Sequence, residues 1–252
     1  MVEVRGRMDI EGAFARTLGR EFAVTYKELL GLLGDPPALE NLTPEWWLGV
    51  RDRVAGAVRP GLEFAFGEAI DSFADEVGFT FDWDLKNQAA IDWAIGYTAE
   101  LGDGLVATRR KKISAAVADF FERDGNMGKL RKDIGRWVSP ESAALIASTE
   151  VTRAAVGGEL WAAADLKRQG VNLRTIWQTN NDSLVCPLCG PLNGTPEGVD
   201  WWRPPPLHTG CRCWINHEVV VDGKALVPAA FKAAYKIIRL DEERLGVVPR
   251  AA

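Results

Sequence analysis

The chain has 252 residues, 47% of them hydrophobic and 26% charged, which is enough to build an ordinary soluble core without crosslinks. A formal net charge of -5 excludes a chain that coats nucleic acid by bulk charge, though not a local basic patch. No run reaches about 18 apolar residues, so no transmembrane helix is expected. MVEVRGRMDIEGAF carries acidic residues and no apolar segment, so no secretory leader is expected either.

The first two-thirds reads as helical. Ile10, Phe14, Leu18, Phe22 and Tyr26 recur every four residues and are followed by Leu29, Leu30 and Leu33. That spacing lays one apolar stripe along a helix, which Gly34, Asp35, Pro36 and Pro37 end. Further helices are predicted over Pro44 to Val58 and Leu62 to Val77, separated by Pro60. After a short extended lead-in, another is predicted from Asp84 to Leu101, closed by Gly102 and Gly104. The stripes are expected to serve core and helix–helix packing.

A helix from Thr108 to Arg123 opens on the basic run Arg109, Arg110, Lys111, Lys112. Such a run is ordinarily a solvated face, and the sharper reading is a phosphate-contacting patch. Asp124, Gly125 and Asn126 predict a turn, and Met127 to Trp137 a short helix. Ser139 then caps a long helix, with Pro140 and Glu141 in its first turn and Gly170 at its end. Gly157 and Gly158 inside it cost roughly 2 kcal/mol of helix propensity. They call for a closely packed neighbouring backbone or a bend.

Past Gly170 the pattern changes. LRTIWQT and CRCWINHEVVV are predicted strands, joined by a stretch rich in Gly, Pro, Asn and Asp. A last helix, about Pro228 to Glu243, would carry Phe231, Tyr235 and Ile238 on one side. The expected class is therefore α+β: a mainly helical N-terminal two-thirds, a small β-containing C-terminal module, and a terminal helix. The expected divisions are 1–79, a helical docking region; 80–170, a second helical part; 171–222, the β module; and 223–252, helix and tail.

All four cysteines, Cys186, Cys189, Cys211 and Cys213, lie within 28 residues of one another, with His208 among them. Without export, such cysteines read as metal ligands or chemistry rather than disulfides. The pattern is Cys-x2-Cys, eighteen residues, then His-x2-Cys-x-Cys. A Cys-x2-Cys knuckle lets two thiolates converge, and a second pair completes a tetrahedron. Thiolate and imidazole favour zinc over harder cations. Five candidates exist for four positions. Cys186 and Cys189 form one pair, and the second is His208 with Cys211, His208 with Cys213, or Cys211 with Cys213. Trp201, Trp202 and Pro204 to Pro206 are too few to make a core alone, which makes a structural metal the expected organiser. A closed set of soft ligands argues against a catalytic zinc, which keeps a position open for water. His217, on the following strand, is expected to be a surface or packing residue. No nucleotide-binding glycine loop, Ser-His-Asp set or paired-carboxylate signature stands out, and no catalytic residue is assigned.

Three blocks in order carry a resemblance to a known family: ATRRKKISAAVADFF with DGNMGKLRKDI; ALIASTEVTRAAVGGEL; and WQTNNDSLVCPLCGPLNGTP followed by PPPLHTGCRC. Together, across roughly residues 80 to 216, the chain resembles the phage head morphogenesis proteins of the Mu F-like minor head protein family. The third block is the specific one. The family commonly has Arg before its Thr-Glu step, where this chain reads Ala147-Ser148-Thr149-Glu150, and Pro-Asn between His and Cys, where it has Thr209-Gly210. The resemblance implies a non-enzymatic minor component of a tailed-phage or prophage head. Such a protein sits in the virion at the head interior or portal vertex, and in the host cytoplasm during assembly. Its partners would be portal protein or major capsid protein, with packaged DNA as a further partner and no membrane. Some relatives carry enzymatic domains after this region; about 30 residues follow the module here, too few for one. Thr149, Glu150, Arg153 and Asp182 are expected to anchor the β module to the helix, with Glu150 and Arg153 pairing with each other, Asp182 or Arg212. The alternative is a zinc-dependent nucleic-acid-binding protein or nuclease, in which Arg109 to Lys112 and Trp201, Trp202 and Arg203 face one groove.

Overall fold

The computed structural model describes residues 6–123, 125–221 and 224–226. The helix expected over Pro228 to Glu243 lies outside them. Five helices precede a small antiparallel sheet, so the class is α+β. The helices are α1 (Arg7–Leu33), α2 (Pro44–Val77), α3 (Trp83–Glu122), α4 (Met127–Trp137) and α5 (Pro140–Arg168). The strands are β1 (Leu173–Gln178), β2 (Trp214–Val221) and β3 (Lys224–Leu226), in the order β1-β2-β3.

The expected stripe of α1 is its buried face: Ile10, Phe14, Leu18, Phe22, Leu29 and Leu33. Two helix breaks do not occur. α2 runs unbroken through Pro60. Its buried residues Val50, Val54, Val58, Leu62, Phe66, Ile70, Phe73 and Val77 keep one stripe on both sides of the proline, while Pro60 itself is exposed. Continuous burial outweighs the one hydrogen bond that proline removes. α3 likewise runs through Gly102 and Gly104. A Cβ at Gly102 would stand 2.9 Å from Arg51 Cγ and 3.3 Å from Arg51 O, so this glycine marks a helix crossing, not a helix end.

The glycine pair of α5 does what its position asks. A Cβ on Gly158 would lie 2.3 Å from the Phe66 carbonyl oxygen, so α2 and α5 cross backbone to backbone there. Ser139 caps α5, its Oγ accepting from Ser142 N at 3.2 Å. One apolar core draws on α1, α2, α3 and α5 and reaches Leu173 and Val219 of the sheet. It spans the boundary expected at residue 79. A second cluster joins Leu29 and Leu33 to Trp47, Ile113, Leu130 and Ile134. A third, much smaller, holds Val156, Trp177, Cys189, Trp201, Cys211, Cys213 and Ile215.

In the sheet, Leu173 pairs with Val219 and Gln178 with Trp214. The predicted second strand begins three residues late, at Trp214, because Cys211 to Cys213 belong to the loop that turns at His208. β1 and β2 bracket the long loop 179–213, which meets α5 at Thr149 and Thr152.

Candidate metal centre

The loop folds around its donors. The Cys186-to-Cys189 knuckle is a tight turn in which Gly190 N bonds to Cys186 O at 3.0 Å and Cys189 N points at Cys186 Sγ at 3.4 Å. The second donor group arrives through a turn with Cys211 N on His208 O at 3.2 Å. Cys186 Sγ lies 3.1 Å from His208 Nε2, Cys189 Sγ 3.4 Å from the same nitrogen, and Cys189 Sγ 3.9 Å from Cys211 Sγ. A tetrahedral ion with bonds of about 2.3 Å to sulfur and about 2.0 Å to nitrogen sets ligand–ligand edges of about 3.5 to 3.8 Å. The observed edges bracket those values.

The donors form two overlapping trios, Cys186-Cys189-His208 and Cys189-Cys211-Cys213, each with its donor atoms within 4.8 Å of one another. This group can hold a metal ion. Cys189 is the shared member. All four cysteines are free thiols. Cys189, Cys211 and Cys213 are buried, and Cys186 is partly exposed. The protonation pattern of the thiols is set by sulfur contacts and burial. A hydrogen bond from the Cys213 thiol, joined by backbone groups, draws Cys211 down to about 5. That same contact, followed by burial, drives Cys213 up. Burial, then the contact with Cys186, lifts Cys189 to about 12. His208 is raised by its hydrogen bond to the Thr209 carbonyl.

Helix α5 positions the second donor group. Thr149 Oγ1 accepts from Gly210 N at 2.7 Å, and Thr152 Oγ1 donates to Cys211 O at 3.1 Å. Thr152 also receives Arg7 Nη2 at 2.7 Å, tying α1 to the same point. Gly210 has φ of +73°, and a Cβ there would meet Leu145 Cδ1 at 2.9 Å. A side chain would strain the turn and push its N–H off Thr149. On the open side, Arg212 Nη2 donates to both Asp182 oxygens at 2.8 Å. Glu150 does not join this group. It is buried, and it accepts from Arg153 Nε at 3.2 Å and from the Tyr97 hydroxyl. Burial and the Glu150 charge push that hydroxyl up, so it stays a donor. Thr149 thus anchors module to helix, Asp182 braces the loop, and Glu150 with Arg153 ties α5 to α3.

Thr152, Gly210 and Tyr97 went unassigned in the sequence. Thr152 was legible in principle, since it stands three residues from Thr149 and so shares its helix face. Gly210 gave no signal of its role without the fold, and Tyr97 lies 53 residues from Glu150 with no local signal.

The nucleic-acid set separates. Arg109 is buried, its guanidinium 4.2 Å from the Phe22 ring centroid and bonded to Leu105 O at 3.2 Å. Burial draws it down to about 10. It therefore belongs to the core and not to a basic face; Arg110, Lys111 and Lys112 remain exposed. Trp201 is also buried, edge-on to Trp177 at 5.4 Å, with Nε1 donating to Thr195 O at 3.0 Å. Only Trp202 and Arg203 of that group face solvent. His217 is a packing residue, edge-on to Phe73 at 5.1 Å. No helix among the described residues is long and apolar enough to cross a membrane. No protein family, curated protein or solved structure matches the chain.

Proposed function

We propose that this chain is a minor head morphogenesis protein of a tailed phage or prophage. It associates with portal or capsid protein during head assembly and is organised by one structural zinc. The observation that carries this reading is the junction at Gly210 and Cys211. Two of the sequence blocks that resemble the Mu F-like family lie 61 and 59 residues apart, yet meet there through Thr149 and Thr152. That contact supports reading the two blocks as parts of one unit.

Zinc is the ion that suits the donors. Four thiols and one imidazole form a soft set, with edges that bracket those of a tetrahedral ion. Cys186, Cys189 and His208 supply three ligands, and Cys211 or Cys213 the fourth. When bound, the ion crosslinks loop segments that have little core of their own. The residues around it do mechanical work: Thr149 and Thr152 seat the Cys211 segment on α5, and Asp182 with Arg212 closes the solvent side. In this reading the protein is not an enzyme and resides in the virion, at the head interior or portal vertex.

Quantitative mass spectrometry on purified particles from the source tests the role. A few copies per particle are expected. Absence from both procapsids and mature heads rejects it and turns attention to nucleic-acid binding through Arg110, Lys111, Lys112, Trp202 and Arg203. Zinc analysis of the purified chain tests the ion, with one thiolate-bound equivalent expected.

A further inference from the structure

A groove on the helical body is left uncovered by the described residues. Between α1 and α2 lies a cleft of about 570 Å3, walled by Ile10, Phe14, Val58, Pro60 and Phe64. Between α2 and α3 lies another of about 480 Å3, walled by Pro60, Phe64, Gly67, Ala90 and Ile91. Pro60 and Phe64 line both, so the two clefts are halves of one groove laid across α2. Large apolar side chains face solvent there: Phe64 is 56% exposed, Ile91 39%, and Ile95, one turn further along α3, 51%. Apolar side chains grouped in this way mark a docking face, unlike singly scattered ones.

The rim of the groove is acidic. Asp9 borders the first cleft, and Glu63, Glu68 and Asp71 border the second. Among the described residues Lys86 is the only basic one lining either cleft, and it already donates to both Asp71 oxygens at 2.8 and 2.9 Å. A second copy set face to face here would oppose acid to acid, which disfavours self-pairing. The groove suits an apolar segment with a basic flank. The sequence past the described residues supplies one. FKAAYKIIRL, residues 231 to 240, holds Lys232, Lys236 and Arg239 and no acid. Phe231, Tyr235 and Ile238 recur at i, i+4 and i+7, the anchor spacing with which an amphipathic helix enters an apolar groove. The three cations follow them by one residue each, so on a helix they border the apolar stripe. The fold also brings the chain to α2. β3 ends at Leu226 and pairs with β2 at Val219 to Val221, and the His217 ring of β2 lies 5.1 Å from that of Phe73. Phe64 stands about 13 Å back along α2 from Phe73, and the stretch from Leu226 to Phe231 can span about 17 Å.

We propose that this groove is the docking site of the chain's own segment 231–240, laid across α2 as a basic amphipathic helix. Phe231, Tyr235 and Ile238 fill the clefts beside Phe64, and Lys232, Lys236 and Arg239 meet the acidic rim. This contact is independent of the role in a phage head.

Photo-crosslinking and hydrogen exchange on the full chain test it. With a benzophenone amino acid replacing Tyr235, crosslinks within one chain to residues 57–67 of α2 or 86–95 of α3 are expected. Phe64→Lys should abolish them and speed amide exchange across 231–240 about tenfold. Phe64 is mostly exposed, so the circular dichroism of the helices should persist in that variant. Lys232→Glu with Lys236→Glu should also lose the crosslinks, and adding Glu63→Lys and Glu68→Lys should restore them. Crosslinks to the groove between two chains assign it to a second copy's segment and overturn the proposal. So do crosslinks only to another face, no crosslink at all, or exchange across 231–240 that Phe64→Lys leaves unchanged.

Discussion

The helical body and the β module are held together by different physics. In the body, long stripes of Val, Leu, Ile and Phe interlock over five helices, and no single contact is decisive. The module buries only a handful of side chains, chiefly Trp177, Trp201, Ile215 and the cysteines themselves. Its loops carry four exposed large apolar residues, Leu184, Leu188, Val199 and Trp202. Burial in the body is distributed, while in the module it rests on a few side chains, the cysteines among them. The same chain should therefore fail in two different ways.

Metal removal is the strongest way to separate them. Structural zinc contributes on the order of 10 kcal/mol to small metal-organised modules. Excess chelator should abolish amide protection across residues 180–213, while the circular dichroism of the helices persists. Among single cysteine-to-serine changes, Cys189→Ser should cost most, because Cys189 belongs to both donor trios. Cys213→Ser should cost less than Cys186→Ser. Equal loss of helix and module signals on chelation would dissolve the distinction between the two regions.

The converse break is Gly158→Ala. A methyl group placed 2.3 Å from the Phe66 carbonyl oxygen must force α2 and α5 apart. Overpacking of this kind costs roughly 3 kcal/mol, more than the helix propensity gained. Gly157→Ala meets the Phe66 and Trp93 rings at 3.3 Å and should cost distinctly less. Both should lower the thermal midpoint of the helices and leave metal content unchanged.

Legibility follows the same division. The α1 stripe, the Ser139 cap and the donor cluster were readable because each depends on neighbours close in sequence. The continuity of α2 through Pro60 was not, since it rests on burial supplied by α1 and α5. Gly102 read as a helix stop for a similar reason: only the crossing of Arg51 explains it. Arg109 read as a surface charge because nothing in a basic run reveals a ring such as Phe22, 87 residues away, beneath one member. In the module, spacing disclosed which donors gather, but five donors for four positions left the set open.

Acid should probe the seam between the regions. His217 enters the fold neutral, its pKa lowered by burial from 6.5 to about 3. A depressed base contributes stability that is complete above its unfolded pKa and is lost as pH falls toward the folded one. By pH 5 the loss is about 2 kcal/mol. Glu159 opposes this, because its raised pKa adds stability below its unfolded value that disappears as pH rises through the folded one. Urea unfolding of native protein and His217→Gln at pH 7 and pH 5 measures the difference. A parallel pH dependence in both would remove His217 from the seam.

The smallest expected effect is also the most local. Thr149→Val keeps the shape of the α5 surface but removes the oxygen that accepts from Gly210 N. An unsatisfied, half-buried backbone donor costs about 1 to 2 kcal/mol. That loss should fall on the module: metal affinity weakens several-fold, while the helical midpoint barely moves. Thr149→Ser, which restores the hydroxyl, should recover affinity. If Thr149→Val instead lowers the helical midpoint and spares the metal, Thr149 is a residue of the body, and the anchoring of the Cys211 segment must come from Thr152 alone.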